Sequence, residues 1–125
     1  MTQLIDIQST DWEKEVSQEE SPVMVEFWHH KCVVCKEMEP IIEKLPELLG
    51  DSAKLVRMNL LESKENRKFA IRGGIRSTPT FVVYCKGEPT GQIIGGREEA
   101  EFIDEVKMLV ENAGKCILGT PIDEA

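Results

Sequence analysis

The chain has 125 residues, 41% of them hydrophobic, enough to bury one core and too few for two. A formal net charge of −8 argues against a nucleic-acid partner, and no run approaches the roughly 18 apolar residues of a membrane span. The first residues, Met-Thr-Gln-Leu-Ile-Asp, show no basic stretch followed by an apolar one, so a cytoplasmic setting is expected.

In chain order, Leu4, Ile5 and Ile7 suggest a short first strand, and Ser9 or Thr10 can cap a helix beginning near Asp11. Ser21-Pro22 ends that unit. Val23, Met24, Val25, Phe27 and Trp28 form a nearly continuous apolar run, as expected of a strand covered on both faces. After a short polar turn, apolar residues at Val34, Met38, Ile41, Ile42, Leu45, Leu48 and Leu49 mark one face of a long helix closed by Gly50. Pro40 and Pro46 predict a kink at each, or an early end at Pro46.

Residues 53–60 read as a second central strand, followed by a short helix capped by Ser63 and ending before Gly73-Gly74. Phe81 to Tyr84 make another strand, running up to Cys85. Lys86-Gly87-Glu88-Pro89 is turn material, and Gln92 to Ile94 gives a last short strand. Phe102, Ile103, Val106, Leu109, Val110 and Ala113 mark an amphipathic helix from about Glu98 to Asn112. The order is βαβαββα, an α/β fold with a central sheet and helices on both faces. One domain over residues 1–113 is expected, with a tail at 114–125.

Four cysteines in a reducing compartment suggest catalytic or metal chemistry more than a structural framework. Cys32 and Cys35 fall three residues apart in the first turn of the long helix, on the same side, close enough to form a disulfide with little backbone movement. The free N–H groups and positive end of that helix favour a thiolate on Cys32, and Lys31, Lys36 and His30 add positive charge nearby. Cys32 is therefore the expected nucleophile and Cys35, one turn deeper, the resolving thiol. Charge is distributed to match. The two chain ends are acidic, whereas residues 27–97 carry twelve basic side chains against eight acidic ones.

Glu26 interrupts the buried apolar strand, where a carboxylate is costly unless paired or protonated. His29, His30, Cys32 and Cys35 form a compact set of metal-ligand types, but four ligands from seven consecutive residues would be strained, so no metal is expected. Cys85, at a strand end, is expected at the surface, and Cys116 follows the last helix. These two could bond to each other, exchange with Cys35, or take no catalytic part, which is the expectation.

Assembled, these residues resemble the thioredoxin family over roughly residues 3–113. The signposts are Glu26-Phe27-Trp28, Cys32-x-x-Cys35-Lys36, Pro40, Gly74-Ile75-Arg76-Ser77-Thr78-Pro79-Thr80, Lys86-Gly87-Glu88 and Gly95-Gly96. The resemblance implies a thioredoxin fold and a protein-disulfide oxidoreductase. Such an enzyme works in cell redox homeostasis and electron transport, needs no cofactor beyond a redox-active Cys32–Cys35 disulfide, and acts as a monomer. Its partners would be disulfide-containing proteins and an electron donor of the thioredoxin-reductase type.

The resemblance further implies that Pro79 is cis and leaves the backbone of Thr78 free to pair with an extended substrate, with Gly95 or Gly96 approaching from the other side and Trp28 packed beside the site. It places Glu26 behind Cys35 as a proton shuttle, one methylene longer than the usual aspartate. Arg57, where a lysine is usual, would pair with it from the next strand. Burial should raise the Glu26 pKa and Arg57 lower it.

Val33-Val34 stands where the family usually has glycine-proline, His30-Lys31 replaces a small or acidic residue and tryptophan, and Thr78 replaces a larger aliphatic residue. These departures bear on the direction of electron flow. A reductant is the first reading, an oxidase or isomerase the alternative, and a metal-binding protein or a non-catalytic adaptor of the same fold the others.

Overall fold

A computed structural model of the chain describes residues 3–114 and Cys116. Its sheet has five strands: β1 (Leu4–Asp6), β2 (Val23–Trp28), β3 (Lys54–Asn59), β4 (Thr80–Cys85) and β5 (Glu88–Ile94). They lie in the order β1-β3-β2-β4-β5. The β1–β3 and β3–β2 pairs are parallel, β2–β4 and β4–β5 antiparallel. β2 is central, which explains its apolar run: both of its faces are covered.

The alternation of a strand sorts its side chains into two layers. Met24 on β2, with Leu55, Phe81, Val83 and Ile93 on its neighbours, faces helices α1 (Val33–Ile42), α2 (Leu45–Leu49) and α4 (Glu99–Ala113). Val23, Val25 and Phe27 face the opposite way, against Val16, Trp12 and Ala70, the last on helix α3 (Lys64–Arg72). Register places Glu26 opposite Arg57 on β3 and Phe81 on β4, on the α1 side of the sheet. The mixed sheet with helices on both faces is the α/β fold expected from the chain order.

Local readings are corrected where tertiary contacts or proline decide. The long helix breaks after Ile42, not at Pro46. Pro46 has no N–H to offer the Ile42 carbonyl, so the helix ends there, and Pro46 sits in the first turn of α2, where that loss costs nothing. Pro40 is accommodated inside α1. The expected helix near Asp11 is a 3-10 turn, Ser9–Asp11, followed by a π-helical turn, Glu13–Ser17, and the cap is Gln8 and not Ser9 or Thr10. Buried Asn66 binds this segment, donating to Gln8 Oε1 at 2.8 Å and accepting from the Ser9 N–H at 2.8 Å; a contact across 57 residues overrides the local cap.

β5 begins at Glu88, earlier than expected, because an edge strand tolerates Pro89 on its unpaired side. Ser63 does cap α3, accepting from the Asn66 N–H at 3.0 Å. Cys85 is not at the surface. It is 1% exposed and disulfide-bonded to Cys116, so the last residue of β4 is tied to the segment after α4. Apart from Gly114 and Cys116, the expected tail lies outside the described residues. Among the described residues no helix is long and apolar enough to cross a membrane.

Candidate active site

Cys32 caps the N-terminus of α1 in extended conformation, and its sulfur accepts the Cys35 N–H at 3.1 Å. The two cysteines form a disulfide with their Cα atoms 5.2 Å apart. One helical turn supplies that proximity, since residues at i and i+3 lie on one side. Both residues are buried, Cys32 at 8% exposed less completely than Cys35 at 2%. The same amide that bonds the Cys32 sulfur is placed to hold a thiolate there, at the positive end of a ten-residue helix. Lys31 and Lys36 are exposed on either side of the pair, and among the described residues neither makes an ion pair.

The peptide bond between Thr78 and Pro79 is cis. The Gly95 N–H donates to the Pro79 carbonyl at 2.8 Å, bringing the start of the last loop against this turn, while the backbone of Thr78 makes no hydrogen bond among the described residues. Two grooves open here. One, of about 270 Å³, is lined by His29, Leu60, Ile71, Ile75, Arg76 and Thr78; the other, of about 480 Å³, by Val34, Met38, Ile41, Gly96 and Arg97. Gly95 takes a φ of +85°, and a Cβ on Gly96 would stand 2.8 Å from Val34 Cγ1. Gly95 therefore serves the turn, and Gly96 the contact with the cysteine-bearing helix.

On β2, on the face of the sheet that α1 covers, Glu26 is 1% exposed. Arg57 Nε approaches its Oε1 to 3.1 Å, yet both carboxylate oxygens and Nε have no aligned hydrogen bond. Burial wins the contest: it pushes the Glu26 carboxyl up to about 7, with Arg57 opposing and Glu39 adding to the rise. The Arg57 guanidinium lies 4.1 Å over the Trp28 ring, a cation–π contact that gives Trp28 a second task besides packing.

Of the residues singled out from sequence, Cys32 pairs with Cys35, Gly95 with Pro79, and Glu26 and Trp28 with Arg57, while Gly96 packs on Val34 of the cysteine-bearing helix. The histidines diverge. His29 Nδ1 accepts from the Lys31 N–H at 3.1 Å, and His30 Nδ1 lies 3.3 Å from the Asn59 amide. Burial, then His30 and Lys31, lower the His29 pKa. Among the described residues no group of three or more His, Cys, Asp or Glu is arranged to hold a metal.

Glu39 was not singled out, although its spacing from Cys32 and Cys35 (i+7 and i+4) puts all three on one helix face. It accepts from Arg57 Nη2 at 2.9 Å.

The family model for thioredoxin matches residues 3–108. The chain is 34% identical over 98 residues to a thioredoxin of Rickettsia prowazekii, covering 78% of this chain and 90% of that one. It is 30% identical over 84 residues to thioredoxin 1 of Synechococcus elongatus, covering 67% and 76%. To thioredoxin M4, chloroplastic, of Arabidopsis thaliana it is 35% identical over 107 residues, covering 84% of this chain and 53% of the relative. With its Cys32–Cys35 disulfide at a helix mouth, the chain belongs to the thioredoxin family and is a protein-disulfide oxidoreductase, working through that disulfide without a further cofactor.

Proposed function

We propose that Cys32 is the nucleophile and Cys35 the resolving thiol of a protein-disulfide reductant. The Cys32 thiolate attacks one sulfur of a substrate disulfide; a mixed disulfide forms and the other substrate sulfur leaves as thiolate. Glu26 then takes the Cys35 proton, and the Cys35 thiolate attacks Cys32, breaking the mixed disulfide and releasing the second substrate thiolate. Two electrons pass to the substrate, and the protein is left with a Cys32–Cys35 disulfide for a reductase-type donor to reduce. The observation that carries this reading is Cys32, the less buried residue of the pair, with its sulfur held by the Cys35 N–H at the start of α1.

Thr78 and Gly95 are proposed to flank the extended substrate, with the unpaired Thr78 backbone as its docking edge. Lys31 and Lys36 would favour the thiolate by charge alone. Cytoplasmic redox homeostasis and electron transport by a monomer complete the proposal. The test is a pair of variants given a disulfide-bonded protein such as insulin. Cys35→Ser should accumulate a mixed disulfide through Cys32, and Cys32→Ser should give neither adduct nor turnover. An adduct on Cys32→Ser would reverse the roles. Titration of the pair against glutathione fixes the direction: a strongly reducing midpoint supports the reductant, a mildly oxidising one an oxidase or isomerase.

A further inference from the structure

The guanidinium of Arg57 is shared unequally between two carboxylates. Its Nη2 makes a formed hydrogen bond to Glu39 Oε1 at 2.9 Å, and its face lies over Trp28. Its Nε lies 3.1 Å from Glu26 Oε1, but its N–H is not aligned on that oxygen. Glu39 thus holds the shorter, aligned bond, and the deeply buried partner is left with the charge at close range and only a poorly aligned contact. An arginine free to choose would meet a buried carboxylate with two parallel N–H donors and clamp it as an anion. Glu39 comes from α1, one turn below Cys35, so the element carrying the thiols also carries the group that orients the arginine.

We propose that Glu39 is a positioning residue for the exchange reaction: by holding one edge of Arg57 against α1, it keeps that arginine from clamping Glu26, and so leaves the Glu26 carboxyl able to accept and return the Cys35 proton. This rests on the proton-transfer reading of Glu26 given above. The charged groups around Glu26 are Arg57 from β3, Asp6 from β1 and Glu39 from α1; its neighbour on β4, Phe81, is uncharged. Asp6 and Glu39 act in the same direction; Asp6 is the strand neighbour of Arg57 on β1, but of the two only Glu39 forms an ion pair with its guanidinium.

The proposal separates charge from geometry. Glu39→Gln removes the charge and keeps an acceptor for Nη2; Glu39→Ala removes both and frees Arg57 to turn toward Glu26. With carboxyl-labelled oxidised protein, NMR titration should place the Glu26 midpoint lower by roughly one pH unit in Glu39→Gln, and lower still in Glu39→Ala. The acid limb of the rate at which Cys35 resolves a Cys32–glutathione mixed disulfide should move with it. Glu39 is about one-third exposed, so both variants are expected to fold. An unmoved Glu26 midpoint in Glu39→Ala would overturn the proposal. Glu26→Gln keeps the two claims apart: if it leaves the resolution profile unchanged, Glu26 is not the proton carrier, whatever its midpoint does in the Glu39 variants.

Discussion

Arg57 Nε stands 3.1 Å from Glu26 Oε1, near enough to attract and not aligned to bond. Desolvation therefore governs the carboxyl, whose pKa rises from an ordinary 4.5 to about 7. A group with a raised folded-state pKa gives stability that is fully present below 4.5 and lost as pH climbs through about 7. Glu26→Gln cannot ionise. Its unfolding free energy in urea should gain on the parent's between pH 4.5 and pH 8, by on the order of 3 kcal/mol across that window. A difference that stays flat across the window would mean that Glu26 is ionised throughout.

Arg57 joins β3 to α1 through Glu39 and lies on Trp28, so its removal strands two carboxylates at once. Arg57→Gln should cost roughly 3 kcal/mol at pH 8, in the range for breaking a buried ion pair, and clearly less at pH 5, where Glu26 is protonated. Arg57→Lys should recover only part, because a point charge cannot fork between two acceptors and lie flat on an indole. Thermal midpoints at the two pH values test both statements.

The Cys85–Cys116 disulfide closes a span of 31 residues containing β5 and α4. Loop-closure entropy sets its stabilisation at roughly 3 to 4 kcal/mol. The double variant Cys85→Ala, Cys116→Ala should lose stability of that order while reducing insulin at the parent's rate, since Cys85 ends β4 at the opposite end from Thr80, which adjoins Pro79. Denaturant unfolding, with the insulin assay beside it, checks both halves. Loss of reductase activity in a folded double variant would bring this pair into the electron path.

The two glycines of the last loop should separate cleanly. Gly95→Ala meets no atom nearer than 4.0 Å but must hold a φ of +85°, so it should cost about 1–2 kcal/mol of stability. Gly96→Ala drives a Cβ to 2.8 Å from Val34 Cγ1, which must give way along with the first turn of α1. It should lower kcat/KM for insulin several-fold at smaller cost in melting temperature. Equal effects in both assays would contradict this division.

Much of this was written locally. The strand before Cys32, the helix spacing after it and the Ser63 cap each depend on residues within a few positions of one another, and such neighbours fix periodicity and capping directly. The Glu26–Arg57 pairing was legible only through resemblance to a family. Glu39 left a faint trace, its place four residues after Cys35, but nothing local says that a distant arginine will bond it.

Sequence alone determined the chemistry at the helix mouth, because two thiols one turn apart at a positive helix end bring their own reactivity. Tertiary structure decided what surrounds them. Strand β3 had to lie beside β2 before Arg57 could face Glu26, and β4 had to run antiparallel to β2 before Cys85, at its end, could meet Cys116. Burial, which raised the Glu26 pKa and hid Cys85, is the sum of contacts from many distant segments, and no short stretch of chain contains it.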